Sequence, residues 1–250
     1  MEIKKINFLE CKQKFDNDGY FVLKYFINKK FISRIINEIE ISQNSIKYFD
    51  NLNKLRRIEK LYNKGPNLKI LNDKFSILFK KVFNKDFLIF KDKFNLKPPG
   101  GEGFFAHYDG IFEFIDFNNK KKRGWYEYGD LFINALLALD VCNKENGALE
   151  LAKSQNVSFD QLIENTKKDG TPALTEEFES KTEFNIINLD IGDIVVFSNT
   201  CPHRSQMNNS KKSRRIIYYT YSLKENGSKY NEYFEDKKNS KGKSKALSQK

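Results

Sequence analysis

The chain has only two histidines, and their surroundings limit its possible folds more than any other feature of the sequence. His107 stands two residues before Asp109 in an apolar segment bounded by glycines, and His203 lies 96 residues further along the chain. Residues i and i+2 of a β-strand project from the same face, so His107 and Asp109 can both point into one cavity. A fold that brings His203 to that cavity from another strand places two imidazoles and one carboxylate on one side of a metal ion.

The residues that follow His203 add a second chemical group to this predicted site. Two imidazoles and a carboxylate form the facial triad of non-haem Fe(II) oxygenases, which leaves the opposite side of the metal open. Arg214 comes 11 residues after His203 and opens the apolar, strand-like run 215–221. Its guanidinium is always charged and matches a carboxylate with two parallel hydrogen bonds. The distal carboxylate of 2-oxoglutarate, bound to iron through its other end, needs such a group.

These motifs resemble the phytanoyl-CoA dioxygenase-like family of Fe(II)/2-oxoglutarate-dependent oxygenases. The resemblance extends over roughly residues 10–225 and also includes the Asn-Gly-Ala-Leu-Glu stretch at 146–150. It implies that His107, Asp109 and His203 hold Fe(II), and that Arg214 and Ser205 hold the carboxylate of 2-oxoglutarate. Three further positions match co-substrate contacts of the family: Trp125, Lys91 and Asn95.

The resemblance also implies a reaction, in which O2 and 2-oxoglutarate are consumed, a substrate C–H bond is hydroxylated, and succinate and CO2 are released. Related halogenases have a small residue in place of the carboxylate ligand, so Asp109 favours hydroxylation or a related oxidation over halogenation. We expect a small polar or anionic metabolite as substrate, of phosphonate or amino-acid type, and a CoA thioester does not follow from the family name. The substrate, the choice between hydroxylation and desaturation, and the oligomeric state are not decided by the sequence.

The pattern of apolar residues predicts a mainly β fold with covering helices. Stripes at helical spacing predict amphipathic helices over 31–39 and 68–82. Apolar runs at 131–141, 184–189, 194–197 and 214–223, separated by turns, indicate a double-stranded β-helix, a cupin-like jelly roll. We expect one oxygenase domain over residues 1–236 and a basic, disordered tail over 237–250.

Four local features carry expectations of their own. The polar segment 44–66 predicts a surface loop, and Asn146-Gly147 predicts the turn of a β-hairpin. The aromatic-rich connection 110–130 indicates either a lid over the substrate or a surface loop with buried aromatics. The alternation from residue 90 puts Lys91, Lys93, Asn95 and Lys97 on one face of a strand, which is either the barrel interior or a solvated exterior.

The net charge of +11 invites a nucleic-acid partner. However, residues 238–250 contain five lysines and no acid, so the remainder carries only +6. A coding bias towards A and T would also enrich Lys, Asn, Ile, Phe and Tyr, and we favour this explanation. An AlkB-type nucleic-acid demethylase would show a second arginine six residues after Arg214, where this chain has Thr220.

Two other expectations concern function and location. A cupin-like isomerase or binding protein on the same barrel is an alternative that would not consume 2-oxoglutarate. The three cysteines are widely spaced and form no CxxC pair, which favours a reducing compartment over a disulfide framework. No signal-peptide pattern and no run of 18 apolar residues is apparent, so we expect a cytoplasmic protein without a membrane span.

Overall fold

Two antiparallel β-sheets stacked face to face form the centre of the protein. The computed structural model describes residues 6–116 and 118–240. The strands of the large sheet are, in spatial order, β1 (Tyr20–Leu23), β11 (Ile194–Ser198), β8 (Phe132–Ala138), β13 (Arg214–Leu223), β4 (Phe87–Lys97), β3 (Leu55–Glu59) and β2 (Ile46–Phe49). The small sheet contains β10 (Asn185–Ile186), β9 (Leu149–Leu151), β12 (His203–Ser205) and β5 (Phe104–His107). The short strands β6 (Phe114–Ile115) and β7 (Lys121–Lys122) pair with each other.

Within the described ranges, six α-helices accompany the sheets: α1 (Phe8–Asp18), α2 (Lys29–Glu40), α3 (Pro66–Phe83), α4 (Phe159–Ile163), α5 (Glu176–Lys181) and α6 (Tyr230–Ser240). Two 3-10 turns cover Gly124–Glu127 and Lys224–Asn226. The predicted helices form where the sequence supplies end signals. Pro66 begins α3, Asn84 ends it in the left-handed conformation, and Ser158 with Gln161 forms a capping box on α4. No helix in the described part of the chain is both long enough and apolar enough to cross a membrane.

The apolar side chains form separate layers on the two faces of the large sheet. On the outer face, Phe75 and Phe79 of α3 pack against Tyr219 and Tyr221 of β13. On the inner face, Leu136, Val195 and Ile216 pack against Leu149 and Leu151 of the small sheet. Since side chains alternate along a strand, the strands β1, β8, β11 and β13 each contribute to both layers. The prediction of a jelly roll with covering helices is confirmed.

The structure corrects three of the local expectations. Segment 44–66 is not a loop, because it contains the hairpin β2–β3 at the edge of the large sheet. The turn at Asn146-Gly147 leads from β8 of the large sheet to β9 of the small sheet, so it does not close a hairpin. Residues 237–240 belong to α6, where Lys237 is buried, and the tail prediction was wrong there. The rest of that predicted tail, residues 241–250, lies outside the described residues.

Candidate active site

The three predicted metal ligands meet in the interior, at one end of the small sheet. Strands β5 and β12 pair in antiparallel fashion with His203 opposite His107, and the two ring centroids are 4.0 Å apart. Strand β5 ends at His107, so Asp109 lies in the bend that follows and not on the strand itself. Its Oδ2 is 3.6 Å from Nε2 of His203. One ligand atom from each of the three buried residues lies within 4.8 Å of the others, close enough to hold one metal ion.

Backbone hydrogen bonds orient both imidazoles. Nδ1 of His107 lies 2.9 Å from the carbonyl oxygen of Phe105, and Nδ1 of His203 lies 3.0 Å from that of Cys201. A carbonyl oxygen can only accept, so each Nδ1 carries the proton and each Nε2 keeps its lone pair. This is the tautomer that ligates a metal through Nε2.

Burial and neighbouring charges favour the ligating forms of these groups. Burial lowers the pKa of His107 well below its ordinary value, and the nearby His203 lowers it further. Burial alone would raise the pKa of Asp109, but His203 and Lys93 outweigh it and hold that pKa below its usual range. At neutral pH the site therefore presents neutral imidazoles and a carboxylate anion, the protonation states that metal binding requires.

A chain of two buried hydrogen bonds holds the carboxylate from behind. Nδ2 of Asn134 donates to Oδ2 of Asp109 at 2.9 Å, and the hydroxyl of Thr220 donates to Oδ1 of Asn134 at 2.7 Å. Asn134 is one polar residue in the otherwise apolar strand β8, and sequence reasoning did not identify it. A buried side-chain amide needs a hydrogen-bond partner. The position of Asn134 in an apolar strand was therefore the signal from which its role could have been inferred.

His107 and His203 of the triad line a cavity of about 380 Å³ that is also lined by Arg214, while Asp109 is buried beside them. Arg214 is buried, and its Nε has no hydrogen-bond partner among the described residues. Lys97 lies opposite Arg214 across the β4–β13 pairing, and its Nζ donates to Oγ of Ser205 at 2.9 Å. Burial and the charge of Arg214 lower the pKa of Lys97 to about 7. A buried guanidinium without a carboxylate partner among the described residues, next to a buried lysine, is a ready site for a carboxylate.

The other sequence-predicted residues are divided between this cavity and the core beside it. Asn95 lines the cavity, whereas Trp125 and Lys91 are not among its lining residues. The two contact each other, with Nζ of Lys91 4.5 Å from the centroid of the Trp125 ring. Thr220 lies opposite Lys91 across the β4–β13 pairing, so Lys91 lies next to the hydrogen-bonded chain that holds Asp109. Strand β4 thus points its lysines inwards, which decides between the two alternatives for that face.

Residues that sequence reasoning missed form the outer wall of the cavity. The hairpin β2–β3 contributes Tyr48, Arg56 and Arg57 to the lining, together with Lys93 of β4, whose orientation the sequence left open. None of the described residues of the connection 110–130, where a lid was considered, lines this cavity. Trp125 of that connection packs instead against Phe90 and Phe132, which agrees with the alternative of buried aromatics.

Comparison with known proteins places this geometry in context. The sequence model of phytanoyl-CoA dioxygenase matches residues 15–216. A 2-aminoethylphosphonate dioxygenase from an uncultured bacterium is 28% identical over 243 residues, which cover 92% of this chain and 87% of that protein. A methylphosphonate hydroxylase from Gimesia maris is 29% identical over 157 residues, or 61% of this chain and 52% of that protein.

Solved structures agree on the fold. The non-haem α-ketoglutarate-dependent carbocyclase SnoK of nogalamycin biosynthesis superposes with a TM-score of 0.67 at 12% identity, covering 87% of this chain and 84% of its own. EctD from S. alaskensis, solved with 2-oxoglutarate and 5-hydroxyectoine, superposes with a TM-score of 0.64 at 14% identity, covering 86% of this chain and 76% of its own.

The family match extends over most of the chain and includes the triad. It confirms the predicted dioxygenase class, and the donor set agrees with the predicted iron and 2-oxoglutarate. The chain belongs to the phytanoyl-CoA dioxygenase family.

Proposed function

We propose that this protein is an Fe(II)- and 2-oxoglutarate-dependent dioxygenase that hydroxylates a C–H bond of a small anionic metabolite of phosphonate type. One observation carries the proposal: the two imidazoles of the buried triad His107, Asp109 and His203 line the same cavity as Arg214, whose Nε has no hydrogen-bond partner among the described residues. The relatives that act on 2-aminoethylphosphonate and methylphosphonate, according to their names, support the substrate class.

The residues of the site fit both Fe(II) and 2-oxoglutarate. The triad supplies one carboxylate oxygen and two imidazole nitrogens and leaves the cavity side of the metal free. Arg214 would pair with the distal carboxylate of 2-oxoglutarate. Ser205 accepts a hydrogen bond from Lys97, and Lys97 lies opposite Arg214 across the β4–β13 pairing. Bound Fe(II) would supply the activation of O2, with one oxygen atom entering succinate and the other the substrate.

The chain itself holds and shields the reactants. Asn134 and the backbone carbonyls that bind both imidazoles fix the ligand atoms before the metal arrives. The apolar side chains of Leu149 and Ile216 in the cavity wall limit the access of water. Such a site positions the substrate and suppresses side reactions, while the metal and co-substrate carry out the oxidation.

The test is an anaerobic titration of the protein with Fe(II) and 2-oxoglutarate, following the visible charge-transfer band of an iron-chelated keto acid. We expect the band in the wild type, its loss in His107→Ala, and a 2-oxoglutarate dissociation constant raised at least on the order of 30-fold in Arg214→Met. Arg215→Met is the matched control, because Arg215 lies on the same strand but pairs with Asp140 at 2.8 Å, away from the cavity.

A cupin-like isomerase or binding protein predicts a different result. It would bind a metal ion at the triad without producing the band, and 2-oxoglutarate would not be consumed when O2 is admitted. That outcome would overturn the proposed co-substrate and the role of Arg214 together.

A further inference from the structure

The wall of the cavity opposite the small sheet contains two cations that the proposed reaction leaves unused. Arg57 of β3 lies opposite Asn95, and Glu59 of β3 lies opposite Lys93 of β4. Both Arg57 and Lys93 line the same cavity as His107 and Arg214. The edge hairpin β2–β3 and the middle of β4 therefore form one basic surface inside the site.

Lys93 has its ammonium group over an aromatic ring and no anionic partner. Its Nζ is 4.5 Å from the centroid of the Tyr218 ring, and its side chain forms no hydrogen bond or ion pair with any described residue. Burial lowers the pKa of Lys93 to about 7, an effect that Asp109 only partly offsets. A partly buried amine without a partner is costly, and an aromatic face compensates only in part. An incoming anion would remove that cost.

Arg57 also keeps its donors available. Its guanidinium is 3.7 Å from Oε1 of Glu59, and its side chain donates no hydrogen bond within the described part of the chain. Glu59 already has closer partners, because Lys237 donates to its Oε2 at 2.5 Å and the hydroxyl of Tyr48 donates to the same oxygen at 2.9 Å. Oε1 of Glu59 accepts no hydrogen bond among the described residues, so Arg57 and Glu59 interact only as an ion pair at 3.7 Å and the guanidinium keeps its hydrogen-bond donors available.

Of the remaining cations that line the cavity, Lys47 is exposed to solvent, and the others have partners or another role. Arg204 pairs with Glu150 and Glu179, at 2.7 and 2.8 Å. Lys97 donates to Ser205, and Arg56 donates to the carbonyl oxygen of Glu102 at 3.2 Å. Arg214 is the proposed partner of 2-oxoglutarate, whose two negative charges and that of Asp109 are balanced by Fe(II) and Arg214. The positive charges of Lys93 and Arg57 then call for a further anion.

We propose that Lys93 and Arg57 together bind the anionic group of the substrate, an oxyanion such as a phosphonate, so that the hairpin β2–β3 determines substrate specificity. This inference rests on the proposed function, since it assumes that Arg214 serves the co-substrate. Two cations on adjacent strands can share the oxygens of one tetrahedral anion through charge-assisted hydrogen bonds. The anion would then lie on the open side of the triad, with the carbon to be oxidised towards the metal.

The experiment uses methylphosphonate as the probe, without turnover. The full-length protein is loaded anaerobically with Fe(II) and 2-oxoglutarate, and methylphosphonate is titrated in while the change in the visible band and the heat of binding are recorded. We expect Lys93→Met and Arg57→Gln to bind 2-oxoglutarate as the wild type does, and to bind methylphosphonate on the order of tenfold to hundredfold more weakly. Lys54→Gln, which removes an exposed charge from the same hairpin, serves as the matched control and keeps wild-type affinities.

Each other outcome has a definite meaning. A variant that loses the band assigns its residue to the co-substrate and overturns this inference, while the proposed function stands. Wild-type methylphosphonate affinity in both variants, or a wild type that gives the band but binds no methylphosphonate, also overturns it. A wild type without the band refutes the proposed function itself, which separates the two failures.

Discussion

Replacing Asn134 by leucine tests whether the residues behind the proposed metal ligands matter as much as the ligands themselves. Asn134 touches no substrate or metal in our proposal, and it holds Asp109 through one hydrogen bond of 2.9 Å. Leucine has a similar size but no donor, so the buried carboxylate would lose that bond and gain an apolar neighbour. Loss of such supporting partners typically weakens metal binding by about 10- to 100-fold.

The same substitution has a separate effect on stability, and the two effects can be distinguished. Thr220 is 1% exposed and donates to Oδ1 of Asn134 at 2.7 Å, so Asn134→Leu leaves its hydroxyl buried without that acceptor. A buried polar group that loses its partner costs about 1–3 kcal/mol. The double variant Asn134→Leu/Thr220→Val removes the unsatisfied hydroxyl as well. It should recover the part of the lost free energy of unfolding that the buried hydroxyl of Thr220 costs, but none of the lost affinity for Fe(II).

The assay combines urea unfolding of the metal-free protein with anaerobic Fe(II) titration of the wild type, the single variant and the double variant. Thr220→Val alone serves as the control for stability. The reasoning is refuted if Asn134→Leu binds Fe(II) as tightly as the wild type does. It is equally refuted if the double variant regains both stability and affinity, since the hydrogen bond to Asp109 would then have no role of its own.

Two further predictions concern the charges around the cavity. Burial, together with the charge of Arg214, lowers the pKa of Lys97 to about 7. An anion bound at Arg214 would offset the second effect and raise that pKa, so 2-oxoglutarate binding should take up a proton above pH 7. The dissociation constant of 2-oxoglutarate should therefore rise with pH by up to about tenfold per pH unit. Calorimetry in two buffers would detect the proton that is taken up on binding. The same pH profile in Lys97→Met as in the wild type would contradict this prediction. Lys237→Met removes one partner of a buried ion pair with Glu59 and should lower the free energy of unfolding by about 3 kcal/mol. Urea unfolding measures that loss, and an equal loss in the exposed control Lys238→Met would show that the ion pair is not its cause.

Helices and strands were predicted correctly where the residue pattern is compatible with only one type of secondary structure. The strand 214–223 and the helices over 31–39 and 68–82 form as expected, because a long apolar run and an apolar stripe at helical spacing each leave little alternative. The triad could be predicted because the chain has only two histidines, one of them two residues from an aspartate. The bend that carries Asp109 could not, since nothing in the motif says that the strand ends at His107.

The edge hairpin β2–β3 was not predicted, because the residue pattern of an edge strand is less regular than that of a central strand. Strand β2 alternates between partly buried and exposed residues and carries Lys47 on its outer face. Charged residues on an edge strand prevent pairing with other chains, but in sequence they look like a surface loop. The prediction of a hairpin at Asn146-Gly147 was wrong for another reason. A turn type determines the local backbone geometry, but not the sheet to which the next strand belongs.

Strand β4 shows why the most informative stretch of the site was also the most ambiguous. Its apolar face contains Phe90 and Phe94, which belong to the core beneath the helices, so its lysines must face the interior of the barrel. Sequence rules treat alternating lysines as a solvated face, because an unpaired buried charge is normally costly. Here aromatic rings lie against Lys91 and Lys93, and backbone oxygens and Ser205 surround Lys97. Departures from local rules are expected at functional sites, and three inward-facing lysines beside a metal triad are such a departure. In the proposed function, anionic ligands offset their cost.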